Sequence, residues 1–296
     1  MQVLKNILIV GGTHGNELTG VKLIEKWEKR SEKIRDLCPS AQVKLLLANP
    51  KAVLLGRRYK DRDLNRSFSE DSLASAESLY ETQRAQEINT LYGEKGEKTK
   101  TDFIFDIHNT ESNMGFCLIL SARDPFAMRA SAELTHEFPK TRIYFQPEPR
   151  AASPYLGTIA KADICLETGP QSHGTIQAEI FETTEKILRR YLELAELWNQ
   201  GTLQSMPLRK VDVYTQFRDV DFIRDAAGSI RTMIHPALQN RDFEELRPGM
   251  PLFRTFDGED IPYEGAQSVF PIFINEAAYY EKGIAMSLTL KTEELW

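Results

Sequence analysis

Three cysteines in 296 residues, Cys38, Cys117 and Cys165, are too few, too scattered and odd in number for a disulfide framework. Cys117 and Cys165 stand in apolar runs, where a free thiol packs as a small core residue. Free thiols fit a reducing compartment, so a cytoplasmic location is expected. Long apolar runs are missing too: none approaches the roughly 18–20 residues of a membrane span. The opening MQVLKNILIV lacks the layout of a signal peptide and reads as a first core strand. No membrane partner is expected. An excess of one charge is also absent. The net charge is −6, and Lys and Arg alternate with Asp and Glu throughout, which leaves no basic face for nucleic acid. Internal repeats and low-complexity tracts are not visible. At 41% hydrophobic and 27% charged, the chain reads as globular, with length for one large domain or two ordinary ones. A homo-oligomer is left open.

The first two hundred residues alternate between strand and helix patterns. Strands are expected at 6–10, 43–48, 102–107, 116–121, 142–146 and, briefly, 164–166. Helices are expected at 17–30, with Leu18, Val21, Ile24 and Trp27 on one stripe, at 71–92, and at 175–199. The tract GEKGEKTK at 93–100 reads as a solvated loop. This alternation predicts an α/β fold, a mixed sheet flanked by helices, over residues 1–206. After 199–201 the pattern changes to short strands near 211–214, 230–234, 252–256, 269–274 and 284–290, parted by turn signals such as Arg247-Pro248-Gly249 and Asp257-Gly258. Residues 207–296 are expected to form a smaller β-rich domain.

Four ionisable groups occupy strand ends. His14 and Glu17 lie in GGTHGNELTG, directly after the apolar run Ile7–Val10. His108 ends the strand Phe103–Ile107, and Glu167 follows Ile164-Cys165-Leu166. Ligands of open α/β sheets bind outside the carboxyl ends of the strands, so residues distant in sequence can converge on one crevice. Two imidazoles and a carboxylate are a catalytic zinc set when a fourth position stays open for water. A further Glu can take a proton from that water and return it to a leaving amine. Singly, each residue also has an ordinary role. Glu17 is then a first-turn helix carboxylate, and Asp106 an outer partner of His108 or a buried anchor. A second cluster, Arg57-Arg58-Tyr59-Lys60-Asp61-Arg62-Asp63-Leu64-Asn65-Arg66, is either a salt-bridged solvated loop or an anion pocket built on arginine forks.

The H-x-x-E pair, the remote His and the later Glu have the layout of zinc carboxypeptidases. The longer segments GGTHGNELTG, RYKDRDLNR (58–66), RAQEIN (84–89), FDIHNTESNMG (105–115), LETGPQ (166–171), IHPALQ (234–239) and VFPIFINEAAYYEK (269–282) follow in order over nearly the whole chain. With them the chain resembles the aspartoacylase and succinylglutamate desuccinylase family. That resemblance implies one Zn²⁺ per chain on His14, Glu17 and His108. It implies Glu167 as general acid/base, Arg58 at the scissile carbonyl, and Asn65, Arg66 and Tyr279 as substrate-binding residues. The C-terminal domain would cap the cleft. The implied reaction is hydrolysis of an N-acyl-L-aspartate, such as N-acetyl-L-aspartate, to L-aspartate and a carboxylate. Deacylation of succinylglutamate or of N-acyl aromatic amino acids is the alternative, and a non-catalytic metal-binding protein a remoter one. Two positions depart from the family pattern. Gly157 stands about ten residues before Glu167, where an Arg that helps hold the aspartate side chain is expected. Arg150 is the nearby basic residue that could replace it. Gly283 stands where a basic residue would follow YYEK, and Lys282 is retained.

Overall fold

Residues 103–109 show how the fold is built. This strand is buried along its whole length, so both of its faces are covered. Alternation divides them. Phe103, Phe105 and Ile107 enter one core with Trp27, Phe126, Tyr191 and Trp198. Ile104 enters a second core with Leu8, Val10, Leu64, Phe68, Ile88 and Leu156. Asp106 and His108 therefore point to the side of Ile104, beyond the end of that second core.

The computed structural model describes residues 3–296. Strands β1 (Asn6–Gly11), β2 (Gln42–Leu47) and β3 (Phe103–Asn109) are parallel, with β1 central. Next come β4 (Gly115–Leu120), β5 (Thr141–Phe145) and β6 (Ala162–Gly169). Strand β6 lies between β3, to which it is parallel, and β4, to which it is antiparallel. The chain continues through β7 (Lys210–Val220), β8 (Thr232–Ile234), β9 (Pro251–Thr255), β10 (Asp260–Pro262), β11 (Phe270–Ile272) and β12 (Met286–Leu295). Nine strands form one mixed sheet in the order β11-β12-β7-β5-β4-β6-β3-β1-β2, and β10-β9-β8 form a small second sheet.

The helices are α1 (Leu18–Glu28), α2 (Ser31–Arg35), α3 (Pro50–Leu55), α4 (Glu70–Ala74), α5 (Tyr80–Tyr92), α6 (Pro125–Glu137), α7 (Ala178–Asn199) and α8 (Thr202–Ser205). Helix α3 carries full punctuation. Asn49 caps it by accepting from Ala52 N, Pro50 opens it, and left-handed Gly56 closes it. The expected α/β sheet flanked by helices, with a smaller β-rich C-terminal part, is the observed architecture. That C-terminal part has its own core, with Phe222, Ile234, Leu246, Phe253, Tyr263, Val269, Met286 and Leu288. The large sheet nevertheless runs through residue 207, because β7 pairs in parallel with β5.

Several elements differ from the sequence reading, which lacks the short α2, α3, α8 and β10 and ends β7 at 214 where it continues to Val220. The helix expected over 71–92 is two, α4 and α5, with 75–79 extended between them. The Gln86 side chain donates to the carbonyls of Leu73 (3.2 Å) and Ser75 (2.7 Å), satisfying the end of α4 where a continuous helix would have done so. The strand expected at 164–166 is longer at both ends, because pairing to β3 and β4 extends it to 162–169. Helix α6 was not read from the sequence, although Asp124 and Pro125 are a cap and a first-turn proline.

Candidate active site

The turn after β1 must bring a His and a Glu back over the sheet. Gly15 permits it: a Cβ there would stand 2.1 Å from the Ala52 backbone, so only glycine lets this turn lie against α3. Glu17 then precedes α1 and turns inward, almost fully buried. His14 Nδ1 lies 2.7 Å from Glu17 Oε1, His108 Nδ1 lies 2.9 Å from Glu17 Oε2, and the two Nδ1 atoms are 3.2 Å apart. The opposite ring nitrogens each meet a carboxylate: His14 Nε2 meets Asp63 Oδ1 at 2.9 Å, and His108 Nε2 meets Asp106 Oδ2 at 2.9 Å. Thr13 Oγ1 donates to Asp106 at 2.9 Å, and Asn109 N to Glu17 at 3.1 Å.

This geometry fits a divalent cation. With the Nε2 protons directed at Asp63 and Asp106, both Nδ1 lone pairs and the Glu17 carboxylate face one point. Donors about 2.0–2.1 Å from a tetrahedral zinc stand about 3.3 Å apart, close to the observed separation of the imidazole nitrogens. The charge also matches. Glu17, Asp63 and Asp106 against Arg58 leave two negative charges when the imidazoles are neutral. The carboxylates also act on the imidazole of His108. Burial opposes its charge, but Asp106 and Glu17 push the His108 pKa well above its ordinary value, and the two imidazoles hold Glu17 well below. Asp63 is likewise held down, against its burial, by His14 and the Arg58 and Arg66 guanidinium groups.

A cleft of about 1100 Å³, with solvent at its mouth included, opens beside this group. Its floor is the sheet face that carries His108. Glu167 is the in-register neighbour of His108 on β6, and Cys165 and Asp163 continue the floor away from the imidazoles. The four residue steps from Asp163 to Glu167 make this floor about 13 Å long. Ile119, Ser121, Tyr144, Gln146 and Gln216 extend it sideways. Phe273 and Tyr279, packed 5.1 Å apart, form part of the C-terminal wall.

The predicted site residues, His14, Arg58, Asn65, Arg66, His108, Glu167 and Tyr279, all line this cleft, and Glu17 bonds to both imidazoles beneath it. Arg58 spans Glu17 (3.1 Å) and Asp63 (3.3 Å). The Asn65 side chain accepts from Leu156 N at 2.9 Å. The Arg66 guanidinium lies over the Tyr155 ring at 4.6 Å and donates to the Asn65 carbonyl. Arg150 does not replace the missing arginine. It is committed to Asp163, Ser121 and the carbonyls of Gly157 and Ala160, outside the lining of the cleft. At Gly157 a Cβ would stand 2.4 Å from the Asp163 carboxylate, so the glycine makes room for that pair.

Three buried polar atoms in the cleft residues have no hydrogen-bond partner among the described residues: Arg58 Nε, Glu167 Oε2 and Lys282 Nζ. Burial pushes the Glu167 pKa up to about 8, helped by Glu17 and Glu276 and opposed by His108 and Arg58. Burial and the nearby Arg66 guanidinium bring Lys282 down to about 8. Burial, with Glu167 nearby, keeps the Tyr279 phenol protonated well above its usual range. An unsatisfied buried polar group costs about 1–3 kcal/mol, so these atoms call for a partner from outside the chain, ligand or water.

Asp63, Lys95 and Glu276 were not singled out by the sequence. Asp63 lay unmarked among the charges of 57–66. Glu276 caps the turn Ala277–Lys282. The tract 93–100 is not wholly a solvated loop. Lys95 Nζ donates to Phe68 O (2.8 Å), Ser153 O (2.5 Å) and Thr158 Oγ1 (2.8 Å), tying the Asn65–Arg66 segment to the one that carries Tyr155. Loss of hydrogen bonds to a charged group costs about 1.5–3 kcal/mol. Lys95→Met is therefore expected to raise KM roughly tenfold, with kcat within about threefold of normal. An unchanged KM beside a lowered Tm would leave Lys95 a purely structural role.

Residues 3–195 match the family of the succinylglutamate desuccinylase/aspartoacylase catalytic domain, and residues 209–291 match the AstE/AspA barrel-sandwich hybrid domain. The chain belongs to the succinylglutamate desuccinylase/aspartoacylase family of hydrolases. A Trichodesmium erythraeum protein described as "probable aspartoacylase" is 42% identical over 98% of both chains. The human N-acyl-aromatic-L-amino acid amidohydrolase (carboxylate-forming) is 41% identical over 97% of this chain and 91% of its own. Among solved structures, murine aminoacylase 3 superposes with a TM-score of 0.93 at 38% identity, covering 100% of this chain and 98% of its own. Relatives bearing both the aspartoacylase and the aromatic amidohydrolase names thus stand at similar identity. No helix of the described residues is long and apolar enough to cross a membrane.

Proposed function

We propose that this hydrolase is a zinc-dependent amidohydrolase that cleaves N-acyl-L-aspartate to L-aspartate and a carboxylate. The observation that carries the reading is the set of unsatisfied groups in one cleft: the Arg58 donor, the Glu167 acceptor and the Lys282 ammonium. A neutral carbonyl to be polarised, a proton to be moved and an anion to be held would answer them in turn. His14, Glu17 and His108 would hold the zinc. Zinc bound there supplies a Lewis acid that polarises the scissile carbonyl and acidifies water. Ionised Glu167, the form that a cation on His14, Glu17 and His108 would favour, takes the proton of the attacking water and passes it to the leaving nitrogen, without which an amine leaves poorly. The Arg58 Nε–H meets the negative charge that develops on the carbonyl oxygen. Arg66 and Lys282, which make no ion pair among the described residues, face the two carboxylates of the substrate, and Asn65 and Tyr279 add donors. The domain from 207 onward caps the cleft through the turn that bears Tyr279 and Lys282. The three free cysteines support a cytoplasmic setting.

A second reading has its own support. The far floor of the cleft carries Asp163 and Asp219 and, among the described residues, no free cation. Such a floor suits an uncharged side chain better than a carboxylate, which favours N-acyl aromatic amino acids. The two readings separate on kcat/KM for N-acetyl-aspartate, N-acetyl-glutamate and N-acetyl-phenylalanine, followed by amine release. N-acetyl-aspartate is expected to be preferred. Preference for the phenylalanine compound would replace the first reading with the second.

A further inference from the structure

We infer that Glu111, His173 and Glu276 form a second divalent-cation site at the rim of the cleft. The three residues come from separate segments: the loop after β3, the loop after β6, and the start of the turn 277–282. One ligand atom from each lies within 4.8 Å of the others. His173 Nε2 is shut off from solvent and has no hydrogen-bond partner. Its nearest carboxylate oxygen, Glu276 Oε1, is 3.8 Å away. That is too long for a hydrogen bond, which needs about 2.7–3.2 Å. It suits two donors that share one cation, because bonds of about 2.0–2.2 Å leave donors about 3–4.4 Å apart.

The surroundings hold these donors in place. Glu276 Oε2 is occupied by Glu111 N (2.8 Å), Ser112 N (3.4 Å), Ser112 Oγ (3.4 Å) and Thr110 Oγ1. Its Oε1 has only the long 3.4 Å contact from Ala278 N and faces His173. His173 N donates to Glu111 Oε1 at 3.3 Å, which draws the second carboxylate to the same place. Two carboxylates and an imidazole are a mixed oxygen and nitrogen set suited to Zn²⁺ or Mn²⁺, and their two charges balance such an ion. The site shares no residue with His14, Glu17 and His108. A cation there cross-links the ends of β3 and β6 to the turn that bears Tyr279 and Lys282, and so fixes the rim of the cleft.

Metal content tests this directly. Protein stripped by a chelator and dialysed against micromolar Zn²⁺ is expected to take up two ions per chain. His173→Ala and Glu111→Gln should each take up one, and His14→Ala should retain the ion at the rim. The rim ion should raise Tm in wild type and His14→Ala, but not in His173→Ala. A single wild-type ion that His173→Ala keeps and His14→Ala loses, or two ions in wild type and in both rim variants alike, would overturn the assignment; a single ion with the opposite pattern would uphold the rim site and remove the metal from His14, Glu17 and His108.

Discussion

Glu167→Gln is expected to lower kcat by roughly 10²–10⁴-fold, the usual worth of a positioned general acid and base, while bound zinc and KM stay near normal. Glutamine keeps the shape and the acceptor oxygen of the side chain but cannot carry the proton. Glu167 neighbours His108 across β3 and β6 without belonging to the His14–Glu17–His108 group, so metal retention follows from the geometry. A kcat within a few-fold of wild type would remove Glu167 from the chemistry. The same variant has a pH signature in metal-free protein. A carboxyl raised by burial to about 8 stabilises the fold fully below its unfolded pKa, and that stability is lost as pH rises towards about 8. Wild type should therefore lose Tm relative to Glu167→Gln between about pH 5 and 8. Parallel Tm curves would contradict the shift.

Arg66→Ala is expected to lower kcat/KM for N-acetyl-aspartate by roughly 10²–10³-fold. Truncating one partner of a buried charge pair costs about 2–5 kcal/mol, much of it from the charge left unpaired. Arg66 stacks on Tyr155 and makes no ion pair among the described residues, so its charge is available to a substrate carboxylate. Its removal should hurt an analogue with amidated carboxylates far less. Equal losses on both compounds would mean that Arg66 shapes the cleft without holding the anion.

The candidates that the residues alone suggest, His14, Glu17, His108 and Glu167, share one property: they stand at or just past the end of a strand. The run Ile7–Val10 announces β1, and two glycines later His14 can only lie at its carboxyl end. His108 and Glu167 follow apolar strands in the same way, and the sheet brings them into register. Asp63 was not legible, because a run dense in charges does not say which carboxylate is buried; its contact with His14 is made by folding alone. Lys95 was hidden for the same reason, among lysines that are mostly solvated. The joining of β7 to β5 was out of reach too, since alternation reveals a strand but not its partner. The break between α4 and α5 depends on one glutamine side chain, which periodicity does not register.

The central claim is that metal held by His14, Glu17 and His108 drives amide hydrolysis in this cleft. The measurement that tests it most directly is amine release from N-acyl amino acids by chelated protein, before and after zinc is restored. Wild type should fall to background on chelation and recover with Zn²⁺, whereas His14→Ala and His108→Ala should stay at background. Turnover by metal-free wild type, or zinc-dependent turnover by both variants, would contradict the account.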